Sequence, residues 1–103
     1  MLDAKANCIY NFHMITYDEA KRTINLKQHG FDFVGAEAIF AGFTICREDG
    51  RDAYGEMRFH SLGIWNGVVV FVVHTARDEI DHIISIRKAE KHEERIYWKN
   101  APV

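Results

Sequence analysis

Residues 56–60, EMRFH, place an acid, a guanidinium and an imidazole at alternate positions of the chain. Side chains in a β-strand alternate between its two faces, so Glu56, Arg58 and His60 are predicted to share one face. The two apolar residues between them are predicted to face a hydrophobic core. Such a row could transfer protons and stabilise negative charge, because the guanidinium fork matches the oxygens of a phosphate.

More residues of these types accompany the next two apolar segments. His74 ends the run VVVFVVH, and Arg77 lies just beyond it. In the following segment Ser85 and Arg87 are predicted to share one face, opposite His82. If these segments are neighbouring strands, their polar groups could converge at one face or edge of a sheet.

Metal-independent RNA cleavage is one reaction that such groups could perform. When a 2′-hydroxyl attacks the adjacent phosphate, the site needs a proton acceptor, cations for the developing charge and a proton donor. Glu56 or a histidine could accept the proton, and a histidine or Tyr97 could donate one. The sequence lacks a His-Glu-x-x-His motif, a Cys-x-x-Cys pair and a glycine-rich phosphate loop, so no metal site and no cofactor are predicted.

Structural roles for the same residues are open alternatives. Glu56 and Arg58 could be surface charges of a solvated strand face or take part in a cross-strand ion pair worth under about 1 kcal/mol. His74 could be a hydrogen-bonded histidine of the core or its rim. Arg95 and Tyr97 could merely pin the last helix to the sheet.

Length and composition predict one globular domain, residues 1–103, because 48% of the residues are hydrophobic and a chain of this size can bury a core. The net charge of −2 argues against a broad basic surface for duplex DNA. The longest apolar run, Val68 to Val73, is far shorter than the ~20 residues of a membrane span, so a soluble, cytoplasmic protein is expected. Cys8 and Cys46 are expected to be free thiols.

The elements that position these residues can be outlined from the sequence. A capping box at residues 16–19, TYDE, predicts a first helix from about Tyr17 that stops at Gly30, with Ile24 on its inner stripe. Asp32 could cap a second short helix. Strands are predicted at residues 43–46, 56–65, 68–75 and 82–87, with a hairpin turn at residues 66–67 and a further strand possible around residues 10–15.

The sequence therefore predicts an α+β domain: a small antiparallel sheet, two amino-terminal helices on one face and a carboxy-terminal helix. The last helix, after Lys88, has few apolar residues, which is typical of a movable element. We expect it at the rim of the active face, with Arg95 and Tyr97 pointing inward and a partner protein displacing or covering it.

Several segments, in chain order from about Thr16 to Trp98, resemble the BrnT family of bacterial toxins from type II toxin-antitoxin pairs. They are YDEAKRTINLKQHGFDF, AIF, EMRFHSLG, VVVFVVHTAR and HIISIRKAEKHEERIYW. Matched by position, the resemblance places the family's Glu-x-Arg pair on Glu56 and Arg58 and the arginine after its central strand on Arg77. It places the Ser-x-Arg pair on Ser85 and Arg87. The Glu-Arg-x-x-Tyr type ending falls on Glu94, Arg95 and nearby Tyr97. His82 stands where the family usually has an arginine. The candidate catalytic residues are Glu56, Arg58, Arg77, His82, Arg87, Arg95 and Tyr97.

The resemblance implies a RelE-like fold and a ribonuclease that blocks translation. It also implies a BrnA-like antitoxin partner, a heterotetramer with two copies of each protein, and contact with DNA only through the antitoxin. RNA would be the substrate, and no membrane would be involved. The alternative is a non-catalytic RelE-like binding module that acts as a corepressor or blocks another target such as gyrase.

Overall fold

A computed structural model describes residues 14–49, 57–77 and 80–102 of the chain, without the side chain of Arg77. The described elements, in chain order, are β1 (Met14–Tyr17), α1 (Glu19–His29), α2 (Glu37–Ala41), β2 (Ile45–Asp49), β3 (Arg58–Trp65), β4 (Val68–Arg77), β5 (Ile80–Lys88) and α3 (Lys91–Asn100). None of the helices in these ranges is long and apolar enough to cross a membrane.

The strands form one sheet in the order β1-β5-β4-β3-β2. The α+β prediction is confirmed, and so is the β3–β4 hairpin, whose turn residues Asn66 and Gly67 have φ values of 50° and 81°. The prediction of an antiparallel sheet is wrong for β1, which pairs parallel with β5. Most of the chain separates these two strands, so no short turn forces them to run in opposite directions.

Helix α1 begins later than the sequence predicts. Asp18 is its N-cap and accepts a hydrogen bond from the backbone N–H of Lys21 at 3.1 Å, whereas Thr16 belongs to β1. The predicted stop is confirmed, since Gly30 has the left-handed φ of 78°. The predicted inner stripe is wrong at Ile24, which is 53% exposed.

The buried residue of α1 is Asn25, and its side-chain amide forms hydrogen bonds with β5 of the kind that a neighbouring strand would form. Asn25 Nδ2 donates to the carbonyls of Phe31 and Ile86, both at 2.9 Å, and Oδ1 accepts from the N–H of Ile86 at 3.0 Å. β1 pairs with β5 only over Ile80 to Ile83, so these groups of Ile86 lie beyond the end of β1. The side chain thereby satisfies backbone groups that β1 does not reach.

Two hydrophobic clusters lie on opposite faces of the sheet, because neighbouring residues of β4 alternate between them. On one face α2 and the segment before it pack against the sheet through Phe33, Ala36, Ile39, Phe40, Val70, Val72, Ile83 and Ile86. On the other face α3 and the residue before it pack against three strands through Ile45, Leu62, Val69, Ala89 and Tyr97. Helix α3 therefore buries more than its sequence suggests, with Tyr97 only 3% exposed.

Cys46 is buried and disulfide-bonded, so the expectation of a free thiol is wrong. The chain's other cysteine, Cys8, lies outside the described residues. This bond could not be predicted from the sequence, because the spacing of its cysteines matches no disulfide framework.

Candidate functional site

Strand β5 contains one extra residue relative to β4. Val73 lies opposite Ser85, but the next residue, His74, lies opposite Ile83, which leaves Ile84 as the residue of a β-bulge. From this point towards the start of β5, every side chain is shifted by one position relative to simple alternation.

The bulge brings His82 to the same face as Arg87. His82 lies opposite Thr75 and Arg87 lies opposite Phe71. Thr75 and Phe71 are four residues apart in β4 and share a face, so their partners share it as well. The prediction that His82 faces away from Arg87 is wrong, because alternation read from sequence does not include the bulge.

Two residues of β3 also lie on this face. His60 is opposite Val73, and Arg58 precedes it by two residues in the same strand. Phe59 lies on the opposite face of the sheet, which α2 covers and which we call the interior face. There its ring stacks on that of His74 with centroids 5.8 Å apart. The predicted alternation is thus confirmed for Arg58, Phe59 and His60. The prediction that Met57 faces a hydrophobic core is wrong, since Met57 is 51% exposed, and Glu56 lies outside the described residues. We call the surface formed by Arg58, His60, Thr75, His82, Ser85 and Arg87 the polar face.

Arg87 is held on the polar face by three neighbours. Its Nη1 and Nη2 donate to the two carboxylate oxygens of Glu93 in α3, each at 3.0 Å, and Nη1 also donates to the carbonyl of Lys88 at 3.1 Å. Its Cζ atom lies 4.1 Å from the centroid of the Phe71 ring. Such a bidentate, stacked arginine is well oriented.

Glu93 is a residue of this site that the sequence does not indicate. Burial raises the pKa of its carboxyl group, but the hydrogen bonds from Arg87 and from the backbone of Glu90, together with the charge of Arg87, outweigh burial and hold the pKa below its usual value. Glu93 also accepts from the Glu90 N–H at 2.8 Å, which completes a capping box. Because Glu90 is an uncommon N-cap residue, this capping box has no clear signature in the sequence.

His60 and His82 each have an oriented ring. His60 Nε2 is 3.3 Å from Asp49 Oδ2, and its ring centroid is 4.9 Å from that of Phe71. His82 Nδ1 is 2.8 Å from the hydroxyl oxygen of Thr16, which lies opposite it in β1. Nε2 of His82 forms no hydrogen bond within the described part of the chain.

A second set of polar residues lies on the interior face. The Ser61 hydroxyl is 2.8 Å from His74 Nε2, and His74 Nδ1 donates to Asp81 Oδ1 at 3.0 Å. All three residues are at most 1% exposed. Although these residue types occur in hydrolytic triads, a nucleophile needs access to substrate. The three residues instead cross-link β3, β4 and β5, which confirms the alternative of a hydrogen-bonded core histidine.

The remaining candidates differ in their surroundings. The Tyr97 hydroxyl donates to the carbonyl of Phe43 at 2.9 Å, and burial raises the pKa of its phenol group. This geometry favours the pinning role for Tyr97. Arg95 is exposed on α3. Arg77 ends β4, but its side chain lies outside the described part of the structure.

One cluster of possible metal ligands occurs among the described residues. Glu90, His92 and Glu93 can bring three ligand atoms within 4.8 Å of one another. Two of the three residues are exposed, and Glu93 is already bound to Arg87. The cluster is therefore accounted for by the contacts of the first turn of α3.

The fold and the site together define a small α+β protein that presents arginine and histidine side chains on one face of a mixed sheet. Residues 17–93 match the family model described as the ribonuclease toxin BrnT of type II toxin-antitoxin systems. Since this match covers most of the chain, the protein belongs to the BrnT family of ribonuclease toxins. Membership implies an antitoxin protein as partner. A search of curated proteins found no match.

Proposed function

We propose that this protein is a metal-independent endoribonuclease that inhibits translation by cleaving RNA through attack of a 2′-hydroxyl on the adjacent phosphate. The observation that carries the proposal is the composition of the polar face. Arg58 and His60 on β3 and His82 and Arg87 on β5 flank β4 from its two sides. Cations and imidazoles on one surface are the groups that this reaction requires.

In the proposed reaction the 2′-oxygen forms a bond to phosphorus and the bond from phosphorus to the 5′-oxygen breaks. The products are a 2′,3′-cyclic phosphate and a free 5′-hydroxyl, so one group must accept a proton and another must donate one. We assign these roles to His60 and His82, with Glu56 as an alternative base. Arg58 and Arg87 would stabilise the charge on the phosphorane, and Arg77 and Arg95 are further candidate cations.

The proposal extends to the partner and the setting of the reaction. We infer a RelE-like fold, a cytoplasmic location and neutralisation by a BrnA-like antitoxin in a complex with two copies of each protein. DNA would be contacted only through the antitoxin. The support for this part is membership in a family of type II toxins.

Incubation of a defined RNA with the full chain in EDTA tests the proposal. Cleavage that leaves a 2′,3′-cyclic phosphate end is expected, and Arg58→Ala or Arg87→Ala should lower the rate about 10²- to 10³-fold. Lys27→Ala, which removes a positive charge from the last turn of α1, is the matched control and should retain activity.

Intact RNA in this assay would contradict the enzymatic proposal. If expression still arrests growth after both arginines are lost, the alternative of a non-catalytic binding module is favoured.

A further inference from the structure

Glu93 holds the guanidinium of Arg87 by one end only. The bonds from Nη1 and Nη2 to the carboxylate, and from Nη1 to the carbonyl of Lys88, use both hydrogens of Nη1 and one hydrogen of Nη2. The Nε–H and the second Nη2–H form no hydrogen bond with the residues that the structure describes. Arg87 therefore retains two donors that Glu93 does not use.

These two donors lie on one edge of the planar guanidinium. They point in nearly parallel directions, which is the spacing that binds two oxygens of a phosphate. A carboxylate at the Nη1–Nη2 end and a phosphate at the Nε–Nη2 edge can consequently be bound by the same arginine at the same time. RNA binding at Arg87 does not require the ion pair with Glu93 to break.

Glu93 is well suited to hold this arginine in place. Its side chain is only 12% exposed, against 31% for Arg87. Its carboxylate also accepts a hydrogen bond from the Glu90 N–H, so the first turn of α3 holds the Glu93 side chain in a fixed orientation. The Phe71 ring lies against the guanidinium and limits its movement further.

We propose that Glu93 is a positioning residue of the RNA-cleaving site, which fixes Arg87 by its Nη1–Nη2 end so that the Nε–Nη2 edge meets the phosphate under attack. This inference rests on the proposed ribonuclease function. The negative charge of Glu93 weakens the attraction of Arg87 for RNA in the ground state, but its hydrogen bonds orient the guanidinium for the transition state. Removing Glu93 should therefore lower kcat without raising KM.

Kinetics of the Glu93→Gln variant test the positioning role. We expect kcat for a defined RNA to fall about 10- to 100-fold, with KM unchanged or lower. Glu37→Gln, which removes a carboxylate from the first turn of α2 on the opposite side of the sheet, is the matched control and should keep both constants.

The two proposals fail in different ways. A folded Glu93→Gln variant with the wild-type kcat, or one whose loss is entirely in KM, would overturn the positioning role and leave the ribonuclease proposal intact. A wild-type chain that cleaves no RNA would overturn the ribonuclease proposal, and the positioning role would fall with it.

A measurement on the wild-type chain does not depend on the folding of any variant. Addition of a 2′-O-methyl oligonucleotide, which lacks the attacking hydroxyl, is expected to shift the Arg87 Nε–H signal in ¹H–¹⁵N spectra. The Nη signals should still report slow rotation about the Cζ–Nη bonds, because Glu93 continues to hold these groups. Release of the Nη groups on RNA binding would mean that RNA displaces Glu93, which would overturn the proposed arrangement.

Discussion

Replacing Asn25 with alanine tests how β5, the strand that carries His82 and Arg87, is held at its edge. Asn25 is 4% exposed and makes three hydrogen bonds, two with the backbone of Ile86 and one with the carbonyl of Phe31. Alanine removes all three and leaves the N–H and carbonyl of Ile86 without these partners. Because this position is buried, bulk water has little access to the two backbone groups of Ile86 and cannot readily replace the lost hydrogen bonds.

The expected cost follows from these groups. A buried polar group left unsatisfied costs about 1 to 3 kcal/mol, and some relaxation or entry of a water molecule would offset part of the sum. We therefore expect Asn25→Ala to lower the free energy of unfolding by about 2 to 4 kcal/mol. For a domain of this size, such a loss lowers Tm by roughly 10 to 20 °C.

Urea and thermal unfolding of the variants would measure this loss. Ile24→Ala, at the neighbouring exposed position of the same helix, is the control and should change stability by at most about 0.5 kcal/mol. Asn25→Asp should be at least as harmful as Asn25→Ala at neutral pH, because a carboxylate would face the carbonyls of Phe31 and Ile86. A loss below about 1 kcal/mol in Asn25→Ala would refute the role assigned to this amide.

Three further substitutions have defined outcomes. Gly63→Ala would bring a Cβ atom within 2.7 Å of a side-chain methyl of α2, so denaturant unfolding should reveal a loss of about 1 to 3 kcal/mol; wild-type stability would contradict this contact. Tyr97→Phe should cost about 1 kcal/mol. Burial raises the pKa of Tyr97 in the folded state, so the stability that its neutral phenol contributes is complete below about pH 10 and is lost as pH rises further. If the free energy of unfolding of Tyr97→Phe fell equally steeply with rising pH, this role of the phenol would be contradicted. If the Thr16 hydroxyl orients His82, then Thr16→Ala should change the pH profile of RNA cleavage and Thr16→Ser should restore it, whereas identical profiles for all three chains would argue against this role.

The sequence was most informative where a feature depends on neighbouring residues. The hairpin at Asn66 and Gly67, the helix stop at Gly30 and the shared face of Arg58 and His60 were all predictable. Each depends on backbone preference or on the period of a single strand. Features of this kind need no knowledge of which strands become neighbours.

Features that depend on pairing between distant segments were not predictable in the same way. The bulge at Ile84 exists only relative to β4, and it decides on which face His82 lies. The burial of Asn25 depends on where β1 ends along β5, because only then does Ile86 lack a strand partner. Hydrophobic periodicity along α1 cannot reveal an amide that serves the backbone of another element.

The supports of Arg87 link the stability of the fold to the proposed chemistry. Asn25 fixes the backbone of the preceding residue, Ile86, from the edge of the sheet. Phe71 lies against the guanidinium, and Glu93 binds it from α3. These contacts come from three elements that are distant in sequence, so a perturbation of any one of them should alter the orientation of Arg87. The loss in kcat should therefore be larger for Asn25→Ala than for Gly63→Ala at equal loss of stability, because only Asn25 is bonded to β5 next to the arginine.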